Sequence, residues 1–279
     1  MKYQTVVCDI DGTLMPPDHG IVLKETVAQA MRTLEEHQVK IILASARAYA
    51  GILPIAKQLK MDHFGGYIIA ENGASVYDVK LGQLICFHEM AKDDVLQLWK
   101  LAQEYKVDFA FSQKTQMIAS GFSKGFALDH QNCDIDYIVT NHPQSFMKDA
   151  IMKCSLSAEA TTIAEVFPKI KSDVEEHYPY EVYYSTANII DLLAKGCGKE
   201  TALQELVNQG LMKWQSTAAI GDSFSDIKMI KQAQLGVSLT SAKAECRAAA
   251  DKTVNSCFAD GCLEFFALIK NANEAKQEE

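Results

Sequence analysis

Residues 6–20 read VVCDIDGTLMPPDHG. Two valines and a cysteine make a short apolar run of the kind that forms a buried strand. The run ends in Asp9 and Asp11, with one apolar residue between them. Burying a carboxylate is costly unless something compensates it. Taken alone, the stretch has two explanations. Either the strand reaches the surface and its acids are solvated, or the two acids hold a cation and perform chemistry.

Outward from this stretch, the first eighty residues alternate strand and helix signals. LKETVAQAMRTLEEH places Val27, Met31 and Leu34 on one helical face. VKIILAS reads as a second buried strand, RAYAGILPIAKQLKM as a helix interrupted by Pro54, and GYIIAENGA as a third strand ending in a turn. The texture returns late in the chain with KETALQELVNQG, STAAIGDS, FSDIKMIKQA and LGVSL. Near-continuous apolar strands of this kind belong to parallel sheets covered by helices on both faces.

Between about Ser75 and Ile189 the texture changes. SVYDVKLGQLICFHE reads as a hairpin, DDVLQLWKLAQEY as a helix, and KGFALDHQNCDIDY as a polar, irregular stretch. AIMKCSLSA and YEVYYSTANIIDLLA look like strands flanking the helix TTIAEVFPKIKSD. The expected architecture is α/β: a Rossmann-like, doubly wound parallel sheet built from residues 1–76 and 190–279, with an α+β cap inserted at 77–189. Hinges are expected near Gly73–Val76 and Asn188–Asp191, and the charged end NANEAKQEE as a frayed tail. Phe109, Phe111, Phe122 and Phe126 read as cap packing, and His88, His130 and His142 as polar surface or cap–core contacts without metal-ligand spacing.

Composition narrows the function. The chain has 279 residues, 48% of them hydrophobic and 23% charged, with 27 basic against 36 acidic side chains and a net charge of −9. That balance argues against a broad nucleic-acid surface. No apolar stretch approaches a membrane span, and MKYQTVVCDID does not read as a secretory signal. The eight cysteines form no CxxC pair. They read as reduced thiols of a cytoplasmic protein, and Cys257 with Cys262 lacks the partners of a zinc site.

In open parallel sheets, ligands sit beyond the carboxyl ends of the strands. The first strand signal ends in Asp9 and Asp11, the second in Ser45, the third in Asn72 and the late one in Asp222, while Lys199 opens a helix. This set suits a phosphate monoester, whose negative charge repels a carboxylate nucleophile. Mg²⁺ held by Asp9, Asp222 and a backbone carbonyl near Asp11 removes that repulsion. Ser45 donates a hydrogen bond, Lys199 supplies positive charge, and Gly12 permits a tight turn. Asp11 protonates the leaving oxygen and later takes a proton from water, with Asp9 as the nucleophile.

DIDGTL (9–14), LASAR (43–47), KGCGKETAL (195–203) and GDSFSDIKMI (221–230) resemble, in order, the four motifs of the haloacid dehalogenase superfamily of phosphohydrolases. The large insertion between the second and third motifs resembles the Cof-like subfamily with a type IIB cap. The resemblance implies Asp9 as nucleophile and Asp11 as acid/base. It implies Asp9, Asp11, Asp222 and Asp226 around Mg²⁺, and Ser45, Ala46 and Lys199 around phosphate. Arg47 either binds substrate or pairs with a surface acid; Asn72 either contacts substrate or caps a turn. Two departures stand out: Ser225 where the family commonly has asparagine, and Ala46 where it commonly has glycine.

The implied activity is hydrolysis of a small phosphorylated metabolite, such as a sugar phosphate. A phosphomutase of the same superfamily is the enzymatic alternative. A phospho-accepting signalling domain or a binding-only relative stands outside enzymes. GCGKET is not a nucleotide-binding P-loop, because Leu193 and Glu200 occupy positions that need glycine and a hydroxyl residue.

Overall fold

The computed structural model describes residues 1–17, 20–113 and 116–276. The chain opens with β1 (Thr5–Cys8), α1 (Glu25–Glu36), β2 (Lys40–Ala44), α2 (Tyr49–Gln58), the one-turn α3 (Met61–Phe64) and β3 (Tyr67–Ala70). A hairpin follows, β4 (Ser75–Asp78) and β5 (Gln83–Phe87). The cap comprises α4 (Lys92–Glu104), β6 (Asp108–Gln113), β7 (Gln116–Ala119), α5 (Lys124–Cys133), β8 (Asp136–Val139), β9 (Lys153–Ser157), α6 (Ala160–His177), β10 (Tyr180–Thr186) and β11 (Ile189–Ala194). The chain returns through α7 (Lys199–Asn208), β12 (Thr217–Gly221), α8 (Ile227–Gln232), β13 (Leu235–Leu239), α9 (Ala244–Ala249), β14 (Lys252–Val254) and α10 (Cys262–Ala275).

Eight strands form the first sheet in the order β14-β13-β12-β1-β2-β3-β4-β5. The pairs from β14 to β3 are parallel, whereas β3–β4 and β4–β5 are antiparallel. Every residue of β1, β3 and β12 is buried, as strands covered on both faces require. Helix α1 lays Val27, Met31 and Leu34 onto the core, as its spacing predicts. Helix α2 continues through Pro54 rather than breaking there.

The second sheet, in the order β10-β11-β9-β6-β7-β8, is antiparallel except for β7–β8. Alternation separates its faces. Phe109, Phe111, Cys154, Leu156, Ile190 and Leu192 pack with Trp99, Ile163 and Ile170 in the cap's own core. Lys153, Ser155 and Asp191 line a cavity instead.

Several sequence expectations change here. The β4–β5 hairpin extends the first sheet, and β11 belongs to the second. The cap therefore spans the residues between Phe87 and Lys199, rather than 77–189. Asn188 lies at the β10–β11 turn inside the cap, so the expected hinge there does not mark a crossing; the crossings are Phe87 to Lys92 and Ala194 to Lys199. KGFALDHQNCDIDY is not irregular but forms α5 and the start of β8. Its apolar stripe is narrow: Phe126 and Cys133 pack with Ala48 of the first domain. Phe109, Phe111 and Phe126 are buried as expected, but Phe122 is 48% exposed.

The charged end is largely helical. Helix α10 runs to Ala275, and Asn273 anchors it: the Tyr3 N–H donates to Asn273 Oδ1 at 2.7 Å, and Asn273 Nδ2 donates to the Tyr3 carbonyl at 2.9 Å. Residues 277–279 of that expected tail lie outside the described residues. All eight thiols are free, and seven are buried. Among the described residues, no helix is long and apolar enough to cross a membrane.

One buried group in α1 makes stability depend on pH. Both carboxylate oxygens of Glu35 are buried without a hydrogen-bond partner among the described residues. Burial pushes this carboxyl from 4.5 to about 8, with Arg32 opposing. A raised carboxyl binds its proton more tightly in the folded state, so the associated stability is lost as pH rises from 4.5 through about 8. Melting curves from pH 5 to 9 should therefore show Glu35→Gln gaining on the wild type with rising pH, by about 3 °C or more. Parallel curves would contradict this.

Candidate active site

The register of the central strands places the site. Cys8 of β1 pairs with Ile220 of β12 on one side and Leu43 of β2 on the other. Asp9 N–H donates to the Ile220 carbonyl at 3.1 Å, so Asp9 stands beside Gly221 and Asp222. On the other side, Ser45 N–H donates to the Ile69 carbonyl at 2.9 Å, and Asn72 N–H to the Ser45 carbonyl at 3.0 Å. The strand ends thus lie side by side, at the point where the strand order reverses around β1.

Lys199 reaches in from the first turn of α7. Its Nζ donates to Asp9 Oδ1 at 2.6 Å and to Asp226 Oδ1 at 2.7 Å, and all three residues are buried. Two glycines allow the close approach. Gly73, at φ +98°, lies so near α7 that a Cβ there would meet the Gly198 carbonyl at 2.2 Å. Gly12, at φ +83°, would place a Cβ 2.5 Å from Asp222 Oδ2. Both positions need a residue without a side chain.

Asp226 is saturated. Besides Lys199, it accepts from the Asp222 N–H at 3.1 Å, the Ser223 N–H at 3.0 Å and the Ser223 hydroxyl at 2.8 Å. It therefore orients the loop that carries Asp222, whose Oδ1 accepts from the Thr13 hydroxyl at 3.3 Å. Ser225 is exposed beside Ser223, with their hydroxyls 2.9 Å apart, and its side chain faces the cavity edge.

The electrostatics leave the site short of positive charge. Asp9, Asp222 and Asp226 each bring a carboxylate oxygen to within 4.8 Å of the others. Burial pushes the Asp9 carboxyl above its ordinary range against the pull of Lys199, and the neighbouring acids add to the rise. Burial, and then Asp226, push Asp222 up to about 6. Burial alone would lower the Lys199 ammonium, but Asp226 and Asp9 raise it overall. Three acids against one ammonium, all offering hard oxygen donors, suit a divalent cation such as Mg²⁺.

Asp11 stands apart from that cluster. Arg47 clasps it through Nε to Oδ2 at 2.8 Å and Nη2 to Oδ1 at 2.6 Å. Arg47 therefore holds this carboxylate outside the cluster of Asp9, Asp222 and Asp226. Arg47 thus pairs with an acid that lines the cavity rather than with one elsewhere on the surface. Ser45 is buried, and its hydroxyl accepts from the Arg47 N–H at 3.1 Å. Asn72 holds a left-handed turn at φ 54°, yet it lines the cavity with a buried Oδ1 that has no partner among the described residues.

The cavity over Asp9 measures about 730 Å³, with Asp9, Asp11, Ser45, Ala46, Asn72 and Lys199 on its walls. Its remaining walls include residues the sequence reading passed over: Tyr183 and Tyr184 from the cap, and Lys228 and Lys243 from the first domain. Lys153 and Asp191 of the adjoining cavity were missed as well. The missed signal was polar residues spaced by two in KCSLS and a lone aspartate in the otherwise apolar IIDLLA.

Comparison with known proteins agrees with this geometry. Residues 6–266 match the family described as haloacid dehalogenase-like hydrolase. The chain is 24% identical over 261 residues to phosphoglycolate phosphatase of Staphylothermus marinus, covering 94% of this chain and 95% of that protein. A haloacid dehalogenase-like hydrolase from Bacteroides thetaiotaomicron superposes with a TM-score of 0.89 at 22% identity, over 96% of this chain and all of that one. The sugar phosphatase BT4131, of subclass IIB, superposes with a TM-score of 0.74 at 19% identity, over 96% of this chain and 99% of that one. The chain belongs to the haloacid dehalogenase-like hydrolase family.

Lys199→Met would leave Asp9 and Asp226 buried without their cation, a loss of ~3–5 kcal/mol. Calorimetry should show the melting temperature falling by about 6 °C or more, with Mg²⁺ restoring more of it than it adds to the wild type. An unchanged melting temperature would contradict the ion triad.

Proposed function

We propose that this protein is a Mg²⁺-dependent phosphatase that hydrolyses a small phosphorylated metabolite through a phosphoryl group carried on Asp9. The observation that carries this reading is the buried set of three carboxylates around one lysine at adjoining strand ends. Asp9 and Asp222 would hold the ion, with Asp226 orienting the Asp222 loop and Lys199. When bound, the divalent ion offsets the negative charge of acids and phosphate and polarises the phosphoryl oxygens.

The chain's own residues do the rest. An Asp9 oxygen forms a bond to phosphorus as the bond from phosphorus to the leaving oxygen breaks. Asp11 supplies the proton that this oxygen takes up. Asp11 then takes a proton from a water molecule, whose oxygen attacks phosphorus and frees Asp9 and inorganic phosphate. Lys199 keeps positive charge beside the transferring group throughout. Ser45 and Asn72 supply polar atoms on the phosphate side. Arg47 fixes the direction of the Asp11 carboxyl, and one of its two bonds must yield when Asp11 carries the proton.

The cap covers these groups, keeps bulk water out and limits the substrate's size. Eight free thiols, most of them buried, suit the reducing cytoplasm, where we place the protein.

Release of inorganic phosphate from an aryl phosphate tests the reading. With Mg²⁺ the wild type should turn over, Asp9→Asn should fall by about 1000-fold or more, and chelation should stop the reaction. Water labelled with heavy oxygen should place its label in the phosphate. Turnover by Asp9→Asn equal to that of the wild type would refute the nucleophile. Transfer of the group to a second sugar position without label uptake would make the protein a mutase.

A further inference from the structure

A phosphate dianion must cross a negative field to reach Asp9. The chain carries a net charge of −9, and Asp9 is only 5% exposed within its chamber. Asp222 and Asp226 crowd beside it, and Glu200 stands on the same walls. An anion arriving from solvent is repelled unless positive charge lies along its way.

Among the described residues, three cations line that chamber: Lys199, Lys228 and Lys243. Two are already engaged. Lys199 is buried between Asp9 and Asp226, which outnumber it. Lys228 donates to Glu200 Oε1 at 2.6 Å, and Glu181 of the cap adds its own pull. Seen from solvent, the Lys228 charge is therefore largely cancelled. Lys243 is different. It is exposed, and no acid among the described residues forms an ion pair with it.

Lys243 stands at the entrance of α9, and its N–H donates to the Asp222 carbonyl at 3.0 Å. That bond ties its backbone to the loop carrying the acidic cluster, so its side chain rises from the rim of the site. The fold gains nothing from lysine here. A cation just before the first turn of a helix opposes the helix dipole, and it cannot cap the free N–H groups. The Lys243 side chain indeed makes no cap hydrogen bond. A residue that breaks a local rule without a structural return marks a functional position.

We propose that Lys243 is the anion-capture residue of this site: its ammonium, unpaired at the rim, offsets the negative field and draws a phosphate monoester dianion into the chamber over Asp9. It takes no part in bond making or breaking, so it governs capture and not turnover. This rests on the hydrolase reading above and adds an entry step to it. Acting through water over about one Debye length, a single charge changes the capture of a dianion by about threefold to fivefold, and salt erases the effect.

The test uses the full-length protein with Mg²⁺ and two readouts, aryl phosphate kinetics and calorimetric binding of inorganic phosphate. At low salt, Lys243→Gln should raise KM and weaken phosphate binding by about threefold to fivefold, and Lys243→Glu by about tenfold or more, with kcat moving less than about twofold. The differences should shrink towards the wild type as salt rises to about 0.5 M. Lys243→Arg should keep the wild-type values. Lys169→Gln makes the same change in net charge on α6, which packs against the cap's own core, and should alter nothing.

Unchanged KM and phosphate affinity in Lys243→Glu overturn the proposal. A loss that persists unchanged at high salt also overturns it, since that marks a direct contact or a structural role. So does a fall in kcat alone, or an equal shift in Lys169→Gln, which would make net charge the cause. A wild type that binds phosphate but hydrolyses no ester overturns the hydrolase reading, and the binding series still decides the role of Lys243.

Discussion

The site is organised by one charge imbalance. Lys199 is buried between Asp9 and Asp226, with Asp222 completing an acidic cluster that a single ammonium cannot neutralise. Such a group survives burial only because every element around it is fixed. Asp226 is tied by its loop's own N–H groups, and Asp222 is pressed against Gly12. The residual negative charge suits the pocket to a cation. A cation held there would let a phosphate dianion approach a carboxylate.

The parallel sheet makes this arrangement possible, and the cap contributes walls to the cavity above it. Neighbouring strands in register deliver residues 27 to 213 positions apart, Ser45 with Asn72 and Asp9 with Asp222, to one line, so small changes in strand length would scatter the site. The turn at 71–73, with positive φ at Glu71, Asn72 and Gly73, shows the backbone strain accepted to keep that line. It is over-determined from both sides: Glu71 N–H donates to the Arg47 carbonyl, and the Ser75 hydroxyl donates to the Glu71 side chain. Burial raises the Glu71 carboxyl and Lys153 opposes the rise, so this core turn and a cap strand share one electrostatic environment. Lys153 also donates to the Ala46 carbonyl at 3.3 Å, so the cap touches the strand-end loops through polar groups as well as apolar ones.

Much of the first domain was legible because its signals are local. Strands buried on both faces show as continuous apolar runs, and polar residues at their ends show where a cleft can form. Asp9, Ser45, Lys199 and Asp222 followed from that pattern and converge as expected. The direction of the Asp11 carboxylate was not legible, since its pairing with Arg47 depends on a loop 36 residues away. The cap was harder for a physical reason. Its strands carry a packed face and a wet, site-facing face, so residues such as Lys153 and Asp191 look like interruptions of an apolar run until the partner strands are known. Helix α5 was missed because only Phe126 and Cys133 mark its buried stripe. The domain boundaries moved because a hairpin reads the same whether it ends one sheet or begins another.

The central claim is that Asp9 receives phosphorus while an ion bridges it to Asp222. The most direct measurement is a crystal structure of the protein with Mg²⁺ and beryllium fluoride, a mimic of an acyl phosphate. The account predicts beryllium bonded to an Asp9 oxygen, with the ion contacting both Asp9 and Asp222 and Lys199 facing the fluorides. The mimic attached to another carboxylate, or an ion bound without Asp9, would contradict it.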